Sequence, residues 1–425
     1  MYPANVDNLC PPRQLPCRRA GIAGCEKTEP ATNVHHLPTR DLSPLNLLYD
    51  LSLLGFCRDD PAKITGMPRV LIEQGARLGG IPECDPAFCA SEDAPEAFAF
   101  ARRHPAFAAG RFVDLDAPAG LAGADVFHTP HSAVPDAART HRRLAVVQTI
   151  YDMIPFLLPE TMTAEYRDYY ADIVRRLRPE DHVVTISQHA KDDFCGYVAG
   201  FPAERVHVAP LAANRELFYP CADPGRIAAV RVKYALGEGP YLLSVCTFEP
   251  RKNLAHVIRA FVALAGGGQP GTEDLRLVLA GGKGWMFEPI LAELAGTAGL
   301  RERIVTTGYV DDADLAPLYS GALGFLYLSR YEGFGLPPLE AMQCGAPVVA
   351  SNASSLPEVV GDAGVLLDPD DQDGLCQAML DLARDPTRRA AMSARSLERA
   401  RLFSWEENVR QTAEVYRLAV AERRG

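Results

Sequence analysis

The sequence has no run of about 18 apolar residues, the length a helix needs to cross a bilayer, so no membrane-spanning helix is expected. The first residues, Met1-Tyr-Pro-Ala-Asn-Val-Asp7, carry neither the charged region nor the apolar stretch of a secretory signal. No repeat with a period of about 20–50 residues and no low-complexity tract is visible, which argues against solenoids and propellers. Basic residues are outnumbered, 43 Lys and Arg against 54 Asp and Glu, for a net charge of −11. That balance argues against wholesale binding to nucleic acid, though not against a local basic patch. Zinc spacing is missing as well. The eleven cysteines are scattered, and Cys10, Cys17 and Cys25, near His35 and His36, match no zinc pattern. Free thiols in a reducing cytoplasm are expected instead.

What is present points to an enzyme-sized α/β protein. At 425 residues the chain is too long for one ordinary core, and two domains are expected. Hydrophobic content of 48% with 23% charged residues is ordinary for a globular protein. Residues 1–43 are rich in Pro, Cys and Arg and lack periodicity, so a poorly ordered extension is expected there. Short apolar strands then alternate with helical patterns: 47–55, 125–128, 144–150 and 182–186 in a first domain over 44–220. Ser187 is placed to cap a helix starting near Gln188. Turn residues cluster near Tyr219, and a linker is expected over about 216–238. Strands at 241–245, 275–280, 304–308, 324–329 and 347–351 build a second domain over 238–402, followed by an amphipathic helix from about 403 to 425.

The densest signal is Ser329-Arg-Tyr-Glu-Gly-Phe-Gly-Leu-Pro-Pro-Leu-Glu340. Two carboxylates, Glu332 and Glu340, stand eight residues apart around a glycine turn and a proline pair. The apolar run 324–329 reads as a buried strand, and Pro337 and Pro338 suit a helix's first turn, where a missing N–H costs nothing. The order strand, glycine turn, helix puts Glu332 at a strand's carboxyl end and Glu340 one turn into the helix. The free N–H groups at that helix start favour an anion. The segment from Glu332 to Ala350 resembles the E-x7-E motif of retaining glycosyltransferases of family 4, and the resemblance runs with gaps from about Leu48 to Tyr416. It implies the GT-B fold: two Rossmann-like domains facing across a cleft, with the C-terminal helix crossing back to the first domain.

The resemblance also implies a nucleotide-sugar donor and assigns roles. Glu340 would accept hydrogen bonds from the ribose hydroxyls. Glu332 would lie near the donor sugar. The backbone of Gly333, Phe334, Gly335 and Leu336 would meet sugar and phosphate, and Tyr309 and Val310 would contact the base or simply pack. Arg251 and Lys252, in Phe248-Glu-Pro-Arg-Lys-Asn253, would bind the diphosphate, Arg as a planar fork and Lys as a compact charge. Many members have Gly-Arg where Cys246-Thr247 stands, so one arginine is missing. The turn at Gly66, Ile64-Thr-Gly-Met-Pro-Arg-Val70, resembles the loop that faces the donor phosphates, or is an ordinary strand-to-helix connection. Glu358 also matches the family, with a structural role favoured.

In the first domain, Gln148-Thr-Ile-Tyr-Asp-Met-Ile-Pro-Phe156 resembles a segment beside the anomeric centre, with Tyr151 where many members carry His. Tyr151 would act through its backbone carbonyl. Asp152 would orient the acceptor, act as a base, or cap the chain locally. His128 and His131 follow a strand end and are read as acceptor contacts or local structure. No metal and no cofactor is expected, because a positive cleft replaces the divalent ion of the rival design. The pairs Asp114/Asp116 and Asp371/Asp373 are weak signals for that rival. Two retaining routes stay open. Glu332 is a nucleophile, or attack comes from the face that the diphosphate leaves; the charges gathered on the leaving group favour the second. The Glu-Pro-Arg-Lys-Asn context looks most like mannosyl- and deoxyhexosyl-transferases of surface-polysaccharide synthesis, with GDP-mannose the lead donor and a saccharide or lipid-linked saccharide the acceptor. A cytoplasmic protein is expected, with peripheral contact to the inner membrane through arginines at 139–143 and 175–178, or with those arginines simply solvated. The alternatives are a non-catalytic sugar-binding paralogue and a two-domain nucleotide-sugar epimerase.

Overall fold

The computed structural model describes residues 43–424 except 58–63, 65, 93, 116, 118–119 and 298. The expectation for residues 1–43, the five residues weighed as zinc ligands, and Asp116 therefore lie outside the described residues, Ser43 apart. Seven parallel strands form the first sheet: β1 (Leu45–Asp50), β2 (Cys84–Cys89), β3 (Arg111–Phe112), β4 (Val126–Thr129), β5 (Ala145–Ile150), β6 (His182–Thr185) and β7 (Val206–Val208). Six more form the second: β8 (Tyr241–Val245), β9 (Arg276–Ala280), β10 (Ile304–Gly308), β11 (Gly324–Tyr327), β12 (Val348–Ser351) and β13 (Val365–Leu367). Strand order is β3-β2-β1-β4-β5-β6-β7 in one and β10-β9-β8-β11-β12-β13 in the other. Each order reverses direction once, between β1 and β4 and between β8 and β11. Ligands of open α/β sheets collect at such switch points, beyond the carboxyl ends of the strands.

The central strands β4, β5, β8, β11 and β12 are short, mostly apolar runs buried on both faces, as helix-covered parallel sheets require, whereas β3, β7, β10 and β13 toward the edges are partly exposed. The first strand is shorter than expected. Asp50 ends it by accepting the Ser52 N–H and hydroxyl (2.9 and 2.5 Å), which turns Ser52–Phe56 into a 3-10 helix. Four strands were not foreseen. β2 carries Asp85 and Pro86, which argue against a central strand, and β3, β7 and β13 are only two or three residues long. The expected linker contains a helix, Pro224–Lys233, capped by Asp223 and tied to the second domain by Lys233 bonds to Asp311 and Asp314.

The last helix, Trp405–Arg424, packs on the first sheet: Val409, Ala413, Tyr416 and Val420 share one core with Leu47, Tyr49 and Val147. The chain thus crosses between the two sheets twice. Among the described residues no helix is long and apolar enough to cross a membrane.

Candidate active site

The two strands beside the second sheet's switch point each deliver charge to one place. β8 runs into a 3-10 turn, Pro250–Lys252, and β11 into the loop that carries Glu332. Lys252 Nζ lies 2.7 Å from Glu332 Oε1, and Arg251 Nη1 lies 2.9 Å from Glu332 Oε2. The Tyr327 hydroxyl completes the cluster, donating to Glu332 Oε1 at 2.9 Å and accepting from Lys252 at 2.8 Å. Burial opposes ionisation of Glu332, but Arg251 and Lys252 outweigh it and hold its carboxyl at about 2. The backbone here is fixed as well. Ser354 Oγ accepts the Glu332 N–H at 2.8 Å, and Ser355 Oγ sits 2.8 and 2.7 Å from the Glu332 and Phe334 carbonyls.

Arg251 is more deeply engaged than the sequence suggested. It is 9% exposed, donates to the Tyr331 carbonyl (2.6 Å), and pairs with Glu249 (3.3 Å) besides Glu332. Its fork is used to hold carboxylates and the loop, as the Lys252 ammonium is used to hold Glu332 and Tyr327. The helix after the loop is Leu336–Gln343, with both prolines in its first turn and Gly335 at φ 118° before it. Only glycine adopts that conformation readily, and an added Cβ would also meet Leu356 at 2.8 Å.

Glu340 projects from this helix's second turn. The Tyr319 hydroxyl donates to it at 3.2 Å. Burial pushes the Glu340 carboxyl up to about 7, against the pull of Arg69 and the Tyr319 hydrogen bond. Tyr309 is 37% exposed, whereas Val310 is buried in the core, so its side chain packs. Gly66, at φ 54°, opens the helix Met67–Leu78 in the first domain, and nothing lies within 4 Å of where its Cβ would be.

The first sheet supplies the other wall. Asp152, just beyond β5, accepts the Ile154 N–H at 2.9 Å, and Tyr170 donates to its carbonyl at 2.6 Å. Burial raises the Asp152 carboxyl to about 6. Gly333 lies directly against this segment: a Cβ there would fall 2.5 Å from the Tyr151 carbonyl oxygen and 2.9 Å from Asp152 Cβ. The Tyr151 ring is buried and its hydroxyl has no hydrogen-bond partner. Its carbonyl, not its side chain, therefore faces the loop that carries Glu332. His131 is buried among Tyr151, Tyr166, Tyr169 and Tyr170, with Tyr166 Oη 3.5 Å from its Nε2, and burial lowers it to about 4.

His128 requires a correction. Its Nδ1 lies 2.6 Å from the Tyr416 hydroxyl and its Nε2 2.8 Å from Thr149 Oγ1, and it is fully buried. With both ring nitrogens used inside the core, it docks the last helix and cannot meet an acceptor. Asp371 caps the helix Gln372–Arg384 through the Gly374 N–H, which gives that member of the acidic pair a structural reason. Glu358 likewise is a cap, but for the opposite domain: it accepts the Gln188 and His189 N–H groups at 2.8 and 2.7 Å. Sequence reasoning missed Tyr327, Tyr319 and Arg69. Tyr327 alone left a trace, as the polar-tipped residue of an otherwise apolar strand end.

The family model described as "Glycosyl transferases group 1" matches residues 228–399. The chain is 36% identical over 296 residues to O-antigen chain mannosyltransferase B of Escherichia coli, covering 69% of this chain and 74% of that protein. It is 32% identical over 262 residues to the serotype-specific mannosyltransferase WbdA of Escherichia coli, covering 60% of this chain but only 31% of WbdA. In fold it is similar to HepE of Anabaena, whose structure was solved in complex with UDP and glucose, with a TM-score of 0.63 at 19% identity over 87% of this chain and 98% of HepE.

Proposed function

The chain belongs to the glycosyl transferases of group 1 and has their GT-B architecture, and from that premise we propose that it moves a mannosyl group from GDP-mannose to a saccharide or lipid-linked saccharide during surface-polysaccharide synthesis. The donor follows the relatives, which are named as mannosyltransferases. The chemistry follows one observation: Lys252, Arg251 and Tyr327 converge on Glu332 at 2.7–2.9 Å, beside a helix N-terminus. A sugar–diphosphate bond breaks when charge on the leaving group is stabilised and the oxocarbenium-like sugar is held in place. Lys252 and the N–H groups at Gly335 and Leu336 serve the phosphates. Glu332 serves the sugar, and Glu340 the ribose.

Retention through attack on the leaving-group face is the favoured route. Glu332 spends both oxygens on three donors and ionises at about 2, so it is a poor nucleophile. A phosphate oxygen takes the acceptor proton, and the Tyr151 carbonyl and Asp152 hold the acceptor against the sugar. No divalent metal is assigned a role, since Lys252 and the helix start already oppose the diphosphate charge. Transfer takes place at the cytoplasmic face of the membrane.

The test is transfer from GDP-mannose to a panel of lipid-linked saccharides, with and without EDTA, reading GDP release and the anomeric configuration of the product by NMR. An α-linked product formed in EDTA supports every part of the reading. An inverted product, or activity lost in EDTA and restored by Mg²⁺ or Mn²⁺, overturns the mechanism. Transfer only from another nucleotide sugar overturns the donor.

A further inference from the structure

Arg69 belongs to the first domain but reaches the nucleoside pocket of the second. It lies in the first turn of the helix Met67–Leu78, one turn beyond Gly66. Its Nη2 is 2.6 Å from Asp312 Oδ1, at the start of the helix Asp312–Ser320. Asp312 and Tyr319 are seven residues apart on that helix, hence on one face of it. Tyr319 is the residue that donates to Glu340. The guanidinium also lies 5.9 Å over the Phe218 ring, and Phe218 meets the Tyr319 ring edge-on at 6.1 Å. A continuous stack thus links Arg69, Phe218, Tyr319 and Glu340. The Arg69 side chain is 14% exposed, so its field reaches this pocket with little screening by water.

We propose that Arg69 is a positioning residue for the nucleoside: reaching from the first domain to the helix face that holds Glu340, it supplies the positive charge beside the ribose-binding carboxylate, and it makes donor binding depend on the first domain lying against the second. The inference rests on the reading of Glu340 as the ribose-binding carboxylate. The groups that face Glu340 are Arg69 from the first domain, Asp312 and Tyr319 from the helix Asp312–Ser320, and Cys344 at the end of its own helix. Of these only Arg69 carries positive charge. Asp312 acts against ionisation by its own charge. The two residues should therefore move the pocket in opposite directions, which an incidental surface ion pair would not do.

The experiment is titration of the full chain with GDP and with UDP by calorimetry across about pH 6–9, using the parent, Arg69→Ala, Arg69→Lys and Asp312→Asn. For the nucleotide that the parent binds, affinity should fall as pH drops through about 7, where Glu340 takes up its proton. Arg69→Ala should move that limb to higher pH, and a move of one unit is about fivefold in affinity at pH 7, approaching about tenfold below the limb. Arg69→Lys should restore most of it. Asp312→Asn should move the limb to lower pH and bind more tightly near pH 6.5. A limb unmoved by Arg69→Ala, or a uniform weakening at every pH that Arg69→Lys does not relieve, overturns the proposal. So does Asp312→Asn moving the limb the same way as Arg69→Ala. Should Arg69→Ala not fold, as read from its unliganded melting, the other two variants decide by direction alone. A parent protein that binds neither nucleotide overturns the donor reading itself, and the role of Arg69 with it.

Discussion

Gly333→Ala isolates the contact between the two domains at the loop that carries Glu332. Gly333 is not among the glycines with positive φ, so alanine fits its backbone. The added methyl is the whole perturbation. It would lie 2.5 Å from the Tyr151 carbonyl oxygen, 2.9 Å from Asp152 Cβ and 3.2 Å from Asp152 Oδ2. An ordinary carbon–oxygen contact is about 3.3 Å or more, so a shift of about 0.8 Å is forced. Neither neighbour yields easily. One is backbone, and Asp152 is held by the Ile154 N–H and by Tyr170 on its carbonyl. Gly333 is pinned from its own side too, since Ser187 Oγ donates to its carbonyl at 2.7 Å. The walls of the cleft must therefore part, and a misplacement of about 1 Å costs up to about 100-fold in rate. The strands and helices themselves keep their cores, so stability should change by no more than about 1 kcal/mol. Nucleotide affinity should fall by less than kcat, because Glu340 and Tyr319 keep their places and only Arg69, reaching over from the first domain, is displaced. Steady-state transfer kinetics, a nucleotide titration and a melting curve read the three quantities. A kcat within about threefold of the parent would show that the close approach has no part in the reaction.

Lys252→Ala should lower kcat more than it weakens donor binding, by about 10²-fold or more, since the lysine meets charge that develops as the bond breaks; single-turnover kinetics check this. His128→Ala should cost about 2–4 kcal/mol in urea unfolding, because it leaves the Tyr416 and Thr149 hydroxyls buried without their partner. The same variant should leave the acceptor KM within about twofold, opposite to what an acceptor ligand would do. For Glu340 the sign is set by its raised carboxyl. The folded protein holds that proton up to about pH 7, the unfolded chain only to its ordinary value of 4.5. Stability from this group is therefore greatest below 4.5 and is lost as pH rises to 7. Buried His128 and His131, lowered to about 3 and about 4, act with the opposite sign. The readout is thus the difference between the parent and Glu340→Gln in urea midpoint across pH. The parent should lose ground to the variant between about pH 4.5 and 7, and a flat difference would place Glu340 in water.

What could be read from the chain was local. The glycine turn, the proline pair and the strand before Glu332 lie within a dozen residues, and their order follows from φ, ψ and missing N–H groups alone. The Ser187 cap was legible for the same reason, and the structure shows it accepting the Ala190 N–H at 3.0 Å. Strands failed where this logic has no grip. β2 holds Asp85 and Pro86, yet its register between β1 and β3 keeps it in the sheet. His128 was misjudged because a histidine at a strand end looks the same whether it faces a cleft or a helix from 288 residues later in the chain.

The site's electrostatics lay beyond the sequence for a related reason. Arg251 and Lys252 looked like two free cations waiting for a diphosphate. Folding brings Glu332 to both of them across 80 residues, with Glu249 beside Arg251. The cluster is nearly neutral before any substrate arrives, so it does not act by bulk positive charge. Its worth to a leaving group lies in a Lys252 ammonium already fixed between Tyr327 and Glu332, needing no reorganisation when charge appears. That distinction has a consequence. Adding a cation at Thr247, the exposed position of the missing arginine, should tighten nucleotide binding and leave kcat nearly unchanged, because the added charge would meet ground state and transition state alike. Thr247→Arg therefore separates the two ideas. A gain in kcat of about tenfold would show that the site was short of charge, and a gain in affinity alone that it is organised to act without it.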